Sequence, residues 1–324
     1  MRVAIIGCGL IGQKRAKAHP NCQVAVCADV VMERAEAMAS MIPGAVSTTD
    51  WQGAVTRSDV KLVIVSTFHN MLAKITLAAI EAGKHVLVEK PAGLNVEEIE
   101  SVLKKAKEKG VCVKVGFNHR YHFAIQKAKE IIDSGVLGPL MFIRGRYGHG
   151  GRLGYEKEWR SNPQISGGGE LIDQGMHLID ISRWFLGDFH DIYGFAPTYF
   201  WDIKVEDNIF LSLKTVSNQI AWLHASWTEW KNLFSFEIYG KKGKLHIEGL
   251  GGSYGTERLA WYKMLPELGP PETMIWEYPF PDRSFSLEFE ELLKAIEEKR
   301  EPLGNLLDAR AALEIMRKVY GGFQ

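Results

Sequence analysis

The sequence predicts an α/β domain followed by an α+β domain, and three observations support this prediction. In the first third of the chain, short β-branched runs alternate with helical stretches, a pattern typical of a parallel sheet covered by helices on both faces. After about residue 120, longer strands follow one another without intervening helices, which favours an antiparallel sheet. The length of 324 residues is enough for two domains that each bury a large core.

The first domain is predicted to cover residues 1–120, with right-handed crossovers between its parallel strands. Its predicted strands are 3–6, 24–28, 61–65, 85–88 and 111–115, and its clearest helices are 71–82 and 96–109. The second domain is predicted to cover residues 121–324, and its last helix is a candidate to pack back on the first domain. Its predicted elements are helix 124–134, a strand from Leu140, helix 171–185, strands 208–214, 219–230, 234–239 and 244–247, and helices 287–299 and 306–319. Residues 240–243 (GKKG) predict a hairpin connection, and Asn305 is the expected N-cap of the last helix.

The composition argues against several classes of protein. Hydrophobic residues make up 46% of the chain, charged residues 24%, and the formal net charge is zero, so nothing favours nucleic acid or an anionic membrane as a partner. The apolar runs are short, and the first residues lack the regions of a secretory signal, so we expect a cytoplasmic protein. The four cysteines have neither disulfide-framework nor zinc-ligand spacing, so we expect free thiols and no metal site.

A glycine-rich turn follows the first predicted strand. Gly7, Gly9 and Gly12 match the GxGxxG pattern, and Leu10 and Ile11 open an amphipathic helix. The first glycine makes the tight turn, the second lets backbone approach a pyrophosphate, and the third lets helix and strand pack closely. The N–H groups at the helix start then bind the diphosphate. In this context the pattern predicts a Rossmann dinucleotide site.

Asp29 sets the expected choice of cofactor. It ends the second predicted strand, about twenty residues after the turn, where an acidic group binds the adenine ribose hydroxyls. A carboxylate there repels a 2′-phosphate, and the following Val30 and Val31 supply no cation. NAD is therefore favoured over NADP.

Three further segments resemble the Gfo/Idh/MocA oxidoreductase family: 82–91 (AGKHVLVEKP), 116–120 (GFNHR) and 173–180 (DQGMHLID). The resemblance spans both predicted domains. It implies a Rossmann domain joined to a domain with a large open, mostly antiparallel sheet that is commonly used for oligomer contacts, so we expect a homodimer or homotetramer. It also implies hydride transfer between a nicotinamide and a carbon that bears a hydroxyl.

The chain departs from the family after the fourth strand, where the family usually has Thr-Pro and then a histidine. Here Ser66 and Thr67 are followed by Phe68, and Leu72 stands at the position of the histidine. Ser66 and Thr67 are still expected to line the cofactor groove. Whether His69 replaces the missing histidine is left open by the sequence.

Oxidation of an alcohol needs a base for the hydroxyl proton and a donor for the developing charge on oxygen. Asp173 and His177 are four residues apart on a predicted helix, so they share a polar stripe with Asp180 and Trp184, opposite an apolar face. His177 is the expected base, and Asp173 is expected to orient it or to bind a neighbouring substrate hydroxyl. The alternative is an exposed helix pair without a catalytic role.

Lys90 lies at the carboxyl end of a parallel strand, where open α/β sheets bind ligands, and its ammonium is suited to polarise the reacting oxygen. The resemblance assigns Lys90, Asp173 and His177 to catalysis, with Lys90 and His177 nearest the reacting hydroxyl.

Further candidates are Glu89 and Arg160 for the cofactor, and Asn118, His119 and Tyr121 for the substrate. Arg160 follows Trp159, and similar Trp-Arg pairs in the family lie near the cofactor. A core or stacking role is open for each of these candidates. The tryptophans at 222, 227 and 230 are predicted on one strand, as core and subunit-interface residues rather than a carbohydrate platform. The glycine-rich segment 249–255 is long for a turn and is a candidate to approach an active site, with no mechanism assigned.

The resulting prediction is an NAD-dependent dehydrogenase that acts on a hydroxyl of a sugar, a sugar phosphate, a nucleotide sugar or a polyol. Two alternatives stay open: an NAD-binding sensor without catalysis, and a glycosidase that uses NAD transiently.

Overall fold

The computed structural model describes residues 1–18, 22–267 and 269–321. The chain forms two compact units, one of Met1–Asn118 with Phe285–Leu313, the other of His119–Ser284 with Glu314–Gln324. Each contains one large sheet. The predicted fold class, an α/β Rossmann unit plus an α+β unit with a large, mostly antiparallel sheet, is confirmed.

The first unit contains a six-stranded parallel sheet in the order β3-β2-β1-β4-β5-β6, which is the Rossmann order. Its strands are β1 (Arg2–Ile6), β2 (Gln23–Ala28), β3 (Val46–Thr48), β4 (Leu62–Val65), β5 (His85–Val88) and β6 (Val113–Val115). Its first five helices are α1 (Leu10–Lys17), α2 (Met32–Ser40), α3 (Trp51–Thr56), α4 (His69–Glu81) and α5 (Val96–Lys109).

The continuous apolar runs of this sheet are buried on both faces, as expected for a parallel sheet covered by helices. The residues of β4 are all fully buried. The core also includes Phe289 and Leu292, which lie on α9 (Ser284–Glu298). The last helix is α10 (Leu306–Gly321), and the side-chain oxygen of Asn305 accepts the backbone N–H of Leu307 at 2.8 Å, which confirms the predicted N-cap.

The second unit contains an eight-stranded sheet in the order β14-β13-β12-β11-β7-β10-β9-β8. Its strands are β7 (Leu140–Gly148), β8 (Phe189–Phe195), β9 (Asn208–Thr215), β10 (Ile220–Ser226), β11 (Leu233–Gly240), β12 (Gly243–Glu248), β13 (Glu257–Lys263) and β14 (Glu272–Tyr278). Its helices are α6 (Phe123–Asp133), the single turn α7 (Pro163–Ser166) and α8 (Met176–Leu186). The pair β7 and β10 is parallel and the other pairs in the described sheet are antiparallel, with the predicted hairpin joining β11 to β12.

Helices cover one face of this sheet, because α8 packs on β7 and β10 while α6 packs on β12, β13 and β14. Along β9 and β11 buried residues alternate with partly exposed ones, so the other face is open. Tyr193, Phe195 and Trp222 are 70%, 69% and 57% exposed. We call the surface around these three side chains the open face.

The prediction of one strand over 219–230 is wrong at its carboxyl end, since β10 ends at Ser226. The backbone N–H of Thr228 donates to the Ser226 hydroxyl at 2.8 Å, which turns the chain directly after the strand. Trp227 is fully buried, whereas Trp230 is 64% exposed and has a positive φ of 56°. Of the three tryptophans, only Trp222 therefore lies on β10.

The prediction of one regular helix over 171–185 is wrong in its first turn. Leu171–Gly175 form a π-helix, and α8 begins after it at Met176. A carboxylate oxygen of Glu206 accepts the backbone N–H groups of Gly169 and Leu171, both at 3.0 Å, so a group distant in sequence holds the start of this segment. The wider π turn shifts side chains from their α-helical positions. The four-residue spacing of a regular α-helix therefore does not describe this first turn.

The four cysteines are free thiols, as predicted, with Cys8 and Cys27 buried. No helix within the described ranges is long and apolar enough to cross a membrane.

Candidate active site

In the glycine turn between β1 and α1, two glycines have no room for a side chain and a third faces open space. A Cβ on Gly7, where φ is +98°, would lie 2.4 Å from the Ser66 carbonyl oxygen, and a Cβ on Gly12 would lie 1.9 Å from the Gly7 carbonyl oxygen. A Cβ on Gly9 would have nothing within 4 Å. Gly7 and Gly12 are therefore required by packing, whereas Gly9 leaves an open approach to the start of α1. This arrangement fits a bound pyrophosphate.

The carboxylate of Asp29 is held beside this turn. One of its oxygens accepts the backbone N–H of Cys8 at 2.7 Å, and the other accepts that of Val31 at 3.0 Å. Val30 is 82% exposed and offers no positive charge. Because each carboxylate oxygen can accept a further hydrogen bond, the fixed group fits the ribose hydroxyls of NAD.

The segment after β4 supports the turn from the other side. The Ser66 hydroxyl donates to the Gly7 carbonyl oxygen at 2.9 Å, and the Thr67 hydroxyl donates to the Phe68 carbonyl oxygen at 3.3 Å. Leu72, at the position of the family's histidine, is fully buried in α4, and His69 is only 5% exposed. A core leucine thus replaces a polar side chain there.

A buried ion-pair network anchors the turn that carries Lys90. The Arg15 guanidinium donates to Glu89 at 2.7 Å and also pairs with Glu288 on α9, and all three side chains are largely buried. Burial raises the pKa of Glu288. A Cβ on Gly116 would lie 2.8 Å from both Arg15 and Glu89, so the glycine makes room for the pair. Glu89 therefore links the Lys90 turn to α1, and its predicted role at the cofactor stays a prediction.

In the second unit, Asp173 forms an ion pair with Arg160, whose Nε lies 3.0 Å from the carboxylate. The charge of Asp173 raises the pKa of Arg160. The guanidinium also lies over the ring of Trp159, 4.7 Å from its centroid. Asp173 is therefore oriented by a cation from a preceding loop.

His177 lies in a row of aromatic rings. Its ring stacks on that of His119, with centroids 3.7 Å apart and planes 17° apart, and the His119 ring lies 5.3 Å from that of Tyr147. His119 and His177 are 5% and 7% exposed, and Tyr147 is 6% exposed. The structure thus brings two predicted site residues together and adds a tyrosine that the sequence pattern did not single out.

Asp180, which the helix pattern placed in the same polar stripe, has a structural partner. It accepts from the Arg120 guanidinium at 2.8 Å, and both side chains are about as buried as core residues, at 2% exposure each. Asn118 and Tyr121, predicted to contact substrate, flank this arginine in a short 3₁₀ turn and are 8% and 6% exposed.

The glycine-rich segment 249–255 brings Tyr254 to this cluster. The Tyr254 hydroxyl accepts from the Gln174 side chain at 2.8 Å, and its ring lies 5.0 Å from that of Tyr147. Burial raises the pKa of Tyr254 to about 12. The signal in the sequence was the density of glycines around one tyrosine, but its partners could not be read from it.

Glu206 stabilises the segment that carries Asp173 through several hydrogen bonds. Besides the two backbone N–H groups at the start of the π-helix, it accepts the Tyr320 hydroxyl at 2.7 Å. Burial raises the pKa of Glu206.

Across the described residues, no group of three or more histidine, cysteine, aspartate or glutamate side chains is arranged to hold a metal ion.

Comparison with known proteins agrees with this description. Residues 1–117 match the family model described as the oxidoreductase family, NAD-binding Rossmann fold, and residues 125–246 match the GFO/IDH/MocA C-terminal domain. D-glucoside 3-dehydrogenase of Escherichia coli is 30% identical over 251 residues, which are 70% of this chain and 70% of that protein. Levoglucosan dehydrogenase of Pseudarthrobacter phenanthrenivorans is 26% identical over 226 residues, 61% of this chain and 58% of that protein.

For several relatives, the matched segment covers less than two thirds of the relative's own length. One example is scyllo-inositol 2-dehydrogenase (NAD(+)) of Bacillus subtilis, which is 30% identical over a segment that covers 58% of this chain and 54% of that protein. A solved structure of levoglucosan dehydrogenase in complex with NADH and L-sorbose has the same fold, with a TM-score of 0.86 and 22% identity over 99% of this chain and 97% of that one. With its NAD-binding Rossmann unit and its second domain both matched, the chain belongs to the Gfo/Idh/MocA family of oxidoreductases.

Proposed function

We propose that this protein is an NAD-dependent dehydrogenase that oxidises a secondary hydroxyl of a sugar, a sugar derivative or a polyol. The observation that carries the proposal is the cluster around the π-helix, where Asp173 and His177 lie among Arg160, His119 and Tyr147. It combines a base, a fixed carboxylate and the hydroxyl of Tyr147, groups that are suited to bind and deprotonate a polyol. Relatives named as dehydrogenases of glucosides, levoglucosan and inositols support the substrate class.

His177 is proposed to accept the proton of the reacting hydroxyl. The stacked His119 ring restricts the rotation of its imidazole, which keeps the accepting nitrogen in one direction. When bound, NAD supplies the nicotinamide carbon that takes the hydride. As the C–H hydrogen leaves with its electron pair and the O–H proton passes to His177, the alcohol carbon becomes a carbonyl.

Asp173 is proposed to bind a second hydroxyl of the substrate. Its carboxylate is held by Arg160, and the ion pair favours the ionised form that accepts hydrogen bonds.

For Lys90 we propose the role of hydrogen-bond donor to the reacting oxygen. The pair between Arg15 and Glu89 supports this role, because it fixes the backbone immediately before the lysine. A fixed ammonium stabilises the negative charge that develops on oxygen as the proton leaves.

We also propose that the protein assembles as a homodimer or homotetramer through the open face. Tyr193, Phe195 and Trp222 are large apolar side chains that are more than half exposed there, and such patches are typical of protein contacts. We further propose that the protein is located in a reducing compartment such as the cytoplasm, and the free thiols support this.

The test is NADH formation, followed by absorbance, against a panel of free sugars and polyols, sugar phosphates and nucleotide sugars. We expect turnover with one of these classes, and a His177→Ala variant that binds NAD but loses turnover. His190→Ala is a matched control, since that side chain is 73% exposed on β8. NAD binding without turnover of any compound would favour a sensor, and release of an aglycone without net NADH would favour a glycosidase.

A further inference from the structure

The loop 249–255 follows a path that few sequences can adopt. Its four glycines at 249, 251, 252 and 255 have φ values of +70°, +55°, +79° and +96°, in the left-handed region that favours glycine. A Cβ on Gly249 would lie 2.2 Å from the Thr256 carbonyl oxygen. The largest side chain on the loop is that of Tyr254. The backbone is therefore shaped to place one aromatic side chain.

Tyr254 is tied to the segment that carries the proposed catalytic groups. Its hydroxyl oxygen accepts from Gln174, which lies between Asp173 and His177 in the sequence. The Tyr147 and Tyr254 hydroxyls are also hydrogen-bond partners of each other. Gln174 donates to the phenol oxygen, so that bond does not use the Tyr254 proton.

Tyr254 is also the accessible end of the aromatic row. The row runs from His177 through His119 and Tyr147 to Tyr254, with each ring centroid within 5.3 Å of the next. The first three side chains are buried, whereas Tyr254 is half-buried. A ligand that reaches the row from solvent therefore meets the Tyr254 ring and its hydroxyl.

We propose that Tyr254 is a specificity-determining residue, which donates a hydrogen bond to a hydroxyl of the substrate other than the one being oxidised. Gln174 acts through Tyr254 as a positioning residue. The fitting ligand is a cyclic polyol or pyranose with several ring hydroxyls and an apolar C–H face to pack on the ring. This inference rests on the proposed function and adds to it the side chain that recognises a second hydroxyl of the substrate.

The test uses the full chain and the best substrate of the panel, together with its monodeoxy analogues, each lacking one hydroxyl. Tyr254→Phe keeps the ring and removes the donor, so we expect KM to rise about 3- to 10-fold with kcat little changed, the loss of one neutral hydrogen bond. With the one analogue that lacks the contacted hydroxyl, the variant and the original protein should have equal kcat/KM. Gln174→Met should weaken the same preference, and its effect should not add to that of Tyr254→Phe.

The control is Tyr199→Phe, which removes a hydroxyl from a side chain that is 71% exposed and lies outside the site and the open face. NAD affinity and the melting temperature are measured on every variant. If Tyr254→Phe lowers kcat/KM equally for the substrate and all its deoxy analogues, or lowers only the melting temperature, Tyr254 is structural and the inference is overturned. If the unaltered protein forms NADH with no compound of the panel, the proposed function fails and the inference falls with it.

Discussion

Two substitutions in the glycine turn should have different effects, one on the stability of the fold and the other on the affinity for NAD. Gly12→Ala places a Cβ 1.9 Å from the Gly7 carbonyl oxygen, and the backbone must move to relieve the overlap. Overpacking of this kind costs about 1–3 kcal/mol. For a domain of this size each kcal/mol lowers the melting temperature by about 2–4 °C, so we expect a decrease of about 2–12 °C.

Gly9→Ala should behave in the opposite way. The added Cβ meets nothing within 4 Å, and φ at this position is −71°, which alanine adopts readily. Loss of a glycine N-cap and loss of chain entropy in the unfolded state roughly cancel. The methyl group does occupy the approach to the start of α1, and losing a charge-assisted hydrogen bond to phosphate costs about 1.5–3 kcal/mol. We therefore expect NAD affinity to fall about 10- to 150-fold with an unchanged melting temperature.

The assays are thermal unfolding without cofactor and titration with NAD by calorimetry. Gly269→Ala is the matched control, because a Cβ there also meets nothing within 4 Å, and it should change neither quantity. A Gly9→Ala protein that binds NAD as tightly as the original, or a Gly12→Ala protein with an unchanged melting temperature, would refute the reasoning.

Four further predictions follow from the site and the fold. Asp29→Ser combined with Val30→Arg should narrow the preference for NAD over NADP, because it removes the carboxylate beside the ribose and adds a cation; an unchanged ratio of kcat/KM for the two cofactors would contradict this. His177→Ala should lower kcat by about a hundred- to ten-thousand-fold. It should also flatten the acid limb of the pH profile of kcat, since protonated imidazole cannot accept a proton. Near-full turnover with an unchanged pH profile would rule out the proposed base. Burial acts to raise the pKa of Asp207, but hydrogen bonds from Asn208 and three backbone N–H groups outweigh it and the pKa is lowered. The carboxylate thus stabilises the fold above its ordinary pKa of 3.8, and this contribution is lost as the pH falls through the lowered value. Asp207→Asn should therefore lower the melting temperature at pH 7, with a smaller difference from the original protein near pH 3; a difference independent of pH would contradict the assignment. Trp222→Glu, on the open face, should shift the mass in solution from an oligomer to a monomer without unfolding the chain, as measured by light scattering, and a monomeric original protein would exclude this contact.

The sequence by itself determined the fold class and the cofactor turn. The alternation of strands and helices, and the residues of GxGxxG, depend on local rules: side-chain period, the left-handed φ at Gly7, and close packing at Gly12. Asn305 was predicted as an N-cap for the same reason, since a cap acts on the two or three residues that follow it.

Only the tertiary structure decided the surroundings of the second-unit residues. The regular helix predicted over 171–185 begins as a π-helix, and Glu206, from a distant part of the chain, binds the backbone at its start. Asp173 meets Arg160, and His177 stacks on His119 some sixty residues away in sequence. Periodicity reports which face a side chain occupies on an ideal helix, but these contacts depend on how distant segments pack, and that information is absent from any short window of the sequence.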